Sequence, residues 1–110
     1  MAKETQLAPG AQLLHLEIGK GRQDVTATAL FDMNGHRLRA RIKRDSYDFQ
    51  SSARMERWNG KEWKFLADIH YSKMTTPEKL HYKQDWESVS HFNADLTTLL
   101  EKAALILQVN

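Results

Sequence analysis

The sequence predicts an α+β domain, an antiparallel β-meander of four to five strands packed by a C-terminal amphipathic α-helix. Three observations predict it. Segments between residues 12 and 71 alternate apolar and polar side chains with the two-residue period of a strand. Two Asn-Gly pairs, at 34–35 and 59–60, punctuate those segments as hairpin turns do. The period then changes: between 91 and 108 the apolar residues recur every three to four positions, as on one face of a helix.

Residues 1–10 read as a flexible polar segment with no apolar stretch of the signal-peptide kind, and residues 11–110 as a single domain. Segment 12–18 is a strand that puts Leu14, Leu16 and Ile18 on one face and Leu13, His15 and Glu17 on the other. Gly19-Lys20-Gly21 turns the chain into a second strand, 24–32, rich in β-branched residues and strictly alternating. A two-residue type I′ loop at Asn34-Gly35 then sets the register. Met33 faces His36, Phe31 faces Leu38, Ala29 faces Ala40 and Ala27 faces Ile42, so the apolar side chains meet one another. The other face pairs Asp32 with Arg37, Leu30 with Arg39, Thr28 with Arg41 and Thr26 with Lys43.

The second Asn-Gly reads differently. A two-residue loop would set Trp63 and Phe65 on one face with Glu56 and Arg54, which leaves the apolar pattern unburied. A three-residue loop of Trp58, Asn59 and Gly60, with Gly60 left-handed, pairs Met55 with Trp63, Ala53 with Phe65 and Ser51 with Ala67. The expectation is therefore a bulged turn, a strand 61–71 with Trp63 and Phe65 in the core, and Trp58 in a loop. Thr76-Pro77-Glu78 has the form of a helix start, and 77–86 fits either a short helix or an extended connector. Ser88, Ser90 and Asn93 are cap candidates for the last helix. Its stripe is Phe92, Leu96, Leu99, Leu100, Ala103, Ile106 and Leu107, with Asp95 placed to suit the helix dipole.

Composition narrows the function classes. At 110 residues, 41% apolar and 27% charged, the chain can bury a core of its own. It has no cysteine, which removes disulfides, thiolate metal sites and cysteine nucleophiles and fits a reducing, cytoplasmic location. No apolar run reaches the length of a membrane span, so no membrane partner is expected. The net charge of +2 is small but segregated: residues 36–64 carry nine cations against four anions, and the flanking segments are slightly acidic.

The sharpest feature is Arg37-Leu-Arg39-Ala-Arg41-Ile-Lys43, four cations on one face of one strand. Lysine and arginine dominate phosphate contacts, so the stripe reads as a nucleic-acid-binding face, extended by Arg54, Lys64 and Trp58. Alternating surface charge is also an ordinary solvated strand face. Trp58 is the best candidate to stack a base, with Tyr47 and Tyr82 as further candidates. Trp63 and Phe65, assigned to the core, leave the open face without the aromatics that RNA-recognition-motif sheets use.

The five histidines lack metal-ligand spacing. An enzyme built on this chain would need His15 and His70 to gather with Asp68 and Glu17 on the open face. Gly19-Lys20-Gly21-Arg22 lacks the Walker spacing, and no serine sits in a Gly-x-Ser-x-Gly context, so no cofactor and no enzyme activity are expected. The run Ala103 to Leu107 is apolar all round, and Leu105, Ile106 and Leu107 are a candidate homodimer or partner contact.

The layout of strands followed by one helix resembles that of the Whirly-type and Pur-type single-strand binders, a likeness of layout alone. The expected function is a non-enzymatic nucleic-acid-binding module with steep salt dependence. Charge reversal at Arg39 and Arg41 is expected to weaken binding and leave the fold intact. The alternative is a small accessory or inhibitor protein, a phage- or plasmid-type regulator, that docks on an acidic protein surface through the basic face or uses the C-terminal helix.

Overall fold

A computed structural model describes residues 10–45, 47–74 and 92–108. Five strands, β1 (Ala11–Lys20), β2 (Asp24–Met33), β3 (His36–Asp45), β4 (Ser52–Trp58) and β5 (Trp63–Ile69), form one antiparallel sheet in sequence order. The helix α1 (Asn93–Leu107) packs against β3, β4 and β5. This is the predicted α+β meander. The segment 75–91, with the Thr76-Pro77-Glu78 helix start, Tyr82, Ser88 and Ser90, lies outside the described residues, as do residues 1–9.

The β2–β3 hairpin is the nucleus of the register. Asn34 and Gly35 have φ of 51° and 88°, the two positive values that a type I′ turn requires. Every cross-strand pair predicted from that turn is present, from Met33 with His36 to Thr26 with Lys43. One face of the hairpin is sealed: Ala27, Ala29, Phe31, Met33, Leu38, Ala40 and Ile42 are buried. Leu96, Leu99, Leu100 and Ala103 of α1 join them, together with Phe92 ahead of the helix. Phe92 is the N-cap residue, is fully buried and makes no side-chain cap bond, and Asn93 is the first residue of the helix rather than its cap.

Two β-bulges change the expected faces. In β1, Leu13 pairs with Phe31 and His15 pairs with Leu30, which leaves Leu14 as the extra residue. Leu13 therefore packs against the core beside Leu16 and Ile18, and Leu14 is exposed, the reverse of the alternation read from the sequence. In β5, Phe65 pairs with Glu56 and Ala67 pairs with Met55, so Leu66 is extra. Ala67 and Ile69 reach the core, whereas Trp63 and Phe65 face outward.

The second hairpin is likewise corrected. Trp58 pairs with Trp63, so the loop has four residues, 59–62, and Trp58 closes a strand instead of lying in the loop. Asn59 is the reason. Its side-chain oxygen accepts from the backbone N–H of Lys61 at 2.8 Å and of Glu62 at 2.9 Å, and its own N–H donates to the Glu62 carbonyl at 3.1 Å. That Asx-type closure satisfies the loop backbone internally. Gly60 does take a positive φ, 101°, as expected.

One buried polar contact joins the layers. Arg44, on the core side of β3, forms an ion pair with Asp95 in the first turn of α1, and both side chains are almost fully buried. Asp95 thus answers a charge on a strand as well as the helix dipole. No helix among the described residues is long and apolar enough to cross a membrane.

Candidate functional site

The sheet face away from α1 gathers most of the candidate residues. Alternation along β3 brings Arg37, Arg39, Arg41 and Lys43 to it, and alternation along β4 brings Arg54, Glu56 and Trp58. Beyond the β4–β5 turn, Trp63 and Phe65 arrive on the same face because Trp58 and Glu56 are their partners. Lys64 alternates with these two and therefore lies on the opposite face, where it pairs with Glu62 at 2.9 Å. It does not belong with the basic stripe.

Glu56 organises this face. Arg39 donates to its Oε1 from Nε at 2.9 Å and from Nη2 at 2.8 Å. Arg41 donates to Oε2 at 2.9 Å, and Arg54 Nε lies 3.3 Å from the same oxygen. The three guanidiniums cover the carboxylate, which is 5% exposed on a face open to water. Burial by itself would raise its pKa. The hydrogen bond from Arg39 and the charges of Arg41, Arg39 and Arg54 outweigh that and hold it below the ordinary carboxylate range. A row of like charges that would repel is thereby held in one array.

The aromatic rings are laid against the same guanidiniums. The Arg39 guanidinium stands 4.5 Å from the ring centroid of Trp63, and that of Arg54 stands 4.9 Å from Phe65. Trp58 and Trp63 meet at 5.4 Å between centroids. Phe65 remains 53% exposed and Trp58 39% exposed, so the cluster is open to a ligand. The outer face thus alternates cations with aromatic rings, contrary to the expectation that it lacks aromatics.

Further along the strands the face changes character. Shallow hollows of about 250 Å³ and 350 Å³ adjoin across β1 to β4, sharing Thr26 and Thr28. Gly19 and Ser52 keep the floor low, and Arg41 and Lys43 stand at the rim. Tyr47 follows β3 in an exposed loop, 5.9 Å from the ring of Phe49. Asp45 shapes that loop by accepting from the Tyr47 N–H at 2.9 Å, and its own N–H donates to Ser51 Oγ at 2.9 Å.

The remaining candidates do not converge. His15 is on β1 and Asp68 and His70 belong to β5 and its end, at opposite edges of the sheet. His15 contacts Glu17 at 3.4 Å, and His70 contacts Ser72 Oγ at 2.7 Å. Among the described residues no three His, Asp or Glu side chains gather as a metal site requires. At the end of α1, Leu105 is 81% exposed and Ile106 53%, whereas Leu107 is partly buried and packs against the core. Ile106, expected in the buried stripe, is turned out.

Sequence reasoning missed Glu56, Trp63 and Phe65. The signal that could have found them is the pairing of 36–45 with 52–58, which puts Glu56 opposite Arg39 and between Arg54 and Trp58 on one face. No protein-family model matches this chain, and no curated protein and no solved structure matches it.

Proposed function

We propose that this chain is a non-enzymatic, cytoplasmic binding module that holds nucleic acid on the outer face of its sheet. One observation carries the reading: Arg39, Arg41 and Arg54 converge on Glu56 while Arg39 and Arg54 lie on Trp63 and Phe65, which makes a preorganised platform of cations and rings. Guanidiniums fixed in this way lose little freedom when a phosphate or base arrives. Arg37, Arg41 and Lys43 project along the same face, and they supply the electrostatic part of binding.

The geometry changes which residues test the idea. Arg39 and Arg41 support the buried Glu56, so reversing their charge sets new carboxylates beside it and disturbs the fold. Arg37 and Lys43 are the positions to alter. Fluorescence anisotropy with generic oligonucleotides across a salt series should show binding that weakens as salt rises. Arg37→Ala with Lys43→Ala should reduce the salt slope by about one for each phosphate that these side chains neutralise. Absence of binding at low salt would refute the proposal.

A second reading rests on the apolar end of α1. Leu105 and Ile106 lie exposed beside Phe65 and Leu66 around a groove of about 410 Å³. That surface suits a homodimer, or a small accessory or inhibitor protein that docks through the C-terminal helix rather than through the basic face. Sedimentation of wild type and Leu105→Glu separates this reading, since only an interface at α1 makes the association state depend on residue 105.

A further inference from the structure

We infer that the ligand of the outer face is single-stranded rather than duplex nucleic acid, a deepening that rests on the binding proposal above. The cations are too few and too committed to hold a duplex by charge. Arg39 and Arg54 each serve Glu56 and an aromatic ring at once, and Arg41 shares Glu56 with them. Arg37 and Lys43 stand outside that array, and Arg41, half exposed and bonded to Glu56 through Nη2, can serve both, so about three cations reach phosphates, which for a single strand gives a salt slope of about −2. The rest of the affinity must come from contacts that a duplex cannot offer, because its bases are stacked on one another. Trp58 and Phe65 are exposed rings, and rings accept any unstacked base.

The strand direction follows from the same map. The rings cluster at the turn end of β4 and β5, and the small-residue hollow rimmed by Arg41 and Lys43 lies toward the other end of β3. From Arg37 to Lys43 the chain advances roughly 20 Å at the rise of a strand, enough for several nucleotides. Bases rest on Trp58 and Phe65, and the backbone runs along β3 past Arg41 to Lys43. The low floor at Thr26, Thr28 and Ser52 lets the phosphates approach the sheet.

The test compares one labelled oligonucleotide of about 16 nucleotides, at the upper end of common site sizes, as a single strand and annealed to its complement. The single strand should bind at least tenfold more tightly at equal salt and should quench tryptophan emission. Trp58→Ala and Phe65→Ala should each weaken single-strand binding about five- to a hundredfold and leave the salt slope unchanged. Both rings are surface groups, and circular dichroism with urea unfolding checks that the variants keep the fold. Duplex binding as tight as single-strand binding, with both variants neutral, overturns this inference and leaves nucleic-acid binding standing. Failure of both forms to bind at low salt overturns both.

Discussion

Glu56 shows how one carboxylate turns a repelling row of arginines into a surface. Replacing it with Gln removes the charge that Arg39, Arg41 and Arg54 share, and the cost is about 2 kcal/mol, because hydrogen bonds to charged groups count for more than neutral ones but two of these arginines are half in water. Urea unfolding at neutral pH measures it. The pH dependence has a definite sign. The carboxyl is held below its ordinary value of 4.5, so in acid the unfolded chain takes up the proton first. The stability Glu56 contributes is complete above that value and is lost as pH falls through the lower folded one. Glu56→Gln should therefore flatten the loss of stability in acid, and an unchanged acid limb would contradict the assignment. At the first hairpin, Gly35 has φ 88°, and Gly35→Ala should cost about 1–2 kcal/mol in the same assay, the usual penalty for a side chain in left-handed backbone. Gly35 could be read from its neighbours alone, since a type I′ turn is a local choice. Glu56 could not, because its burial is produced by side chains from two strands whose mutual register the local pattern does not specify.

At the scale of elements, the Arg44–Asp95 pair ties α1 to β3. Asp95→Ala leaves a buried guanidinium without its carboxylate and should destabilise the protein by about 3–5 kcal/mol. Arg44→Met combined with Asp95→Leu should recover much of that loss, as measured by urea denaturation, because the double change removes both charges of the pair. The long helix and the β2–β3 register were legible in advance: one has a sustained period and the other a turn that permits a single parity. The bulges at Leu14 and Leu66 were not. A bulge swaps faces at one residue, and whether it forms depends on what the neighbouring strand presents. Leu13 and Leu14 are identical, so the strand offers the core a leucine ahead of Leu16 with or without the bulge. Trp63 and Phe65 looked like core residues because they are large and alternate, yet Arg39 and Arg54 provide stacking partners that make the outer face acceptable to them.

For the molecule as a whole, the sheet divides two tasks. One face is closed by α1 over an apolar core, and the other keeps rings and guanidiniums fixed in the open. The edge strand β5 is guarded by its bulge at Leu66 and by Lys102, whose ammonium donates to the Asp68 carbonyl at 3.1 Å. The basic stripe was visible in the sequence, but its partners were not. With the rings absent from the expected face, the stripe suggested phosphate contacts alone; with them present, the proposed ligand is one that offers bases as well as phosphates.

If the proposed function is right, the face bearing Glu56 meets the ligand and the face under α1 does not. Titrating isotopically labelled protein with a single-stranded oligonucleotide, followed by amide and indole resonances, separates the two faces. Shifts should concentrate at the amides of Arg37, Arg41, Lys43 and Phe65 and at the indole of Trp58, with Leu99, Leu100 and Ala103 unmoved. Shifts confined to α1, or none at all at saturating oligonucleotide, would refute it.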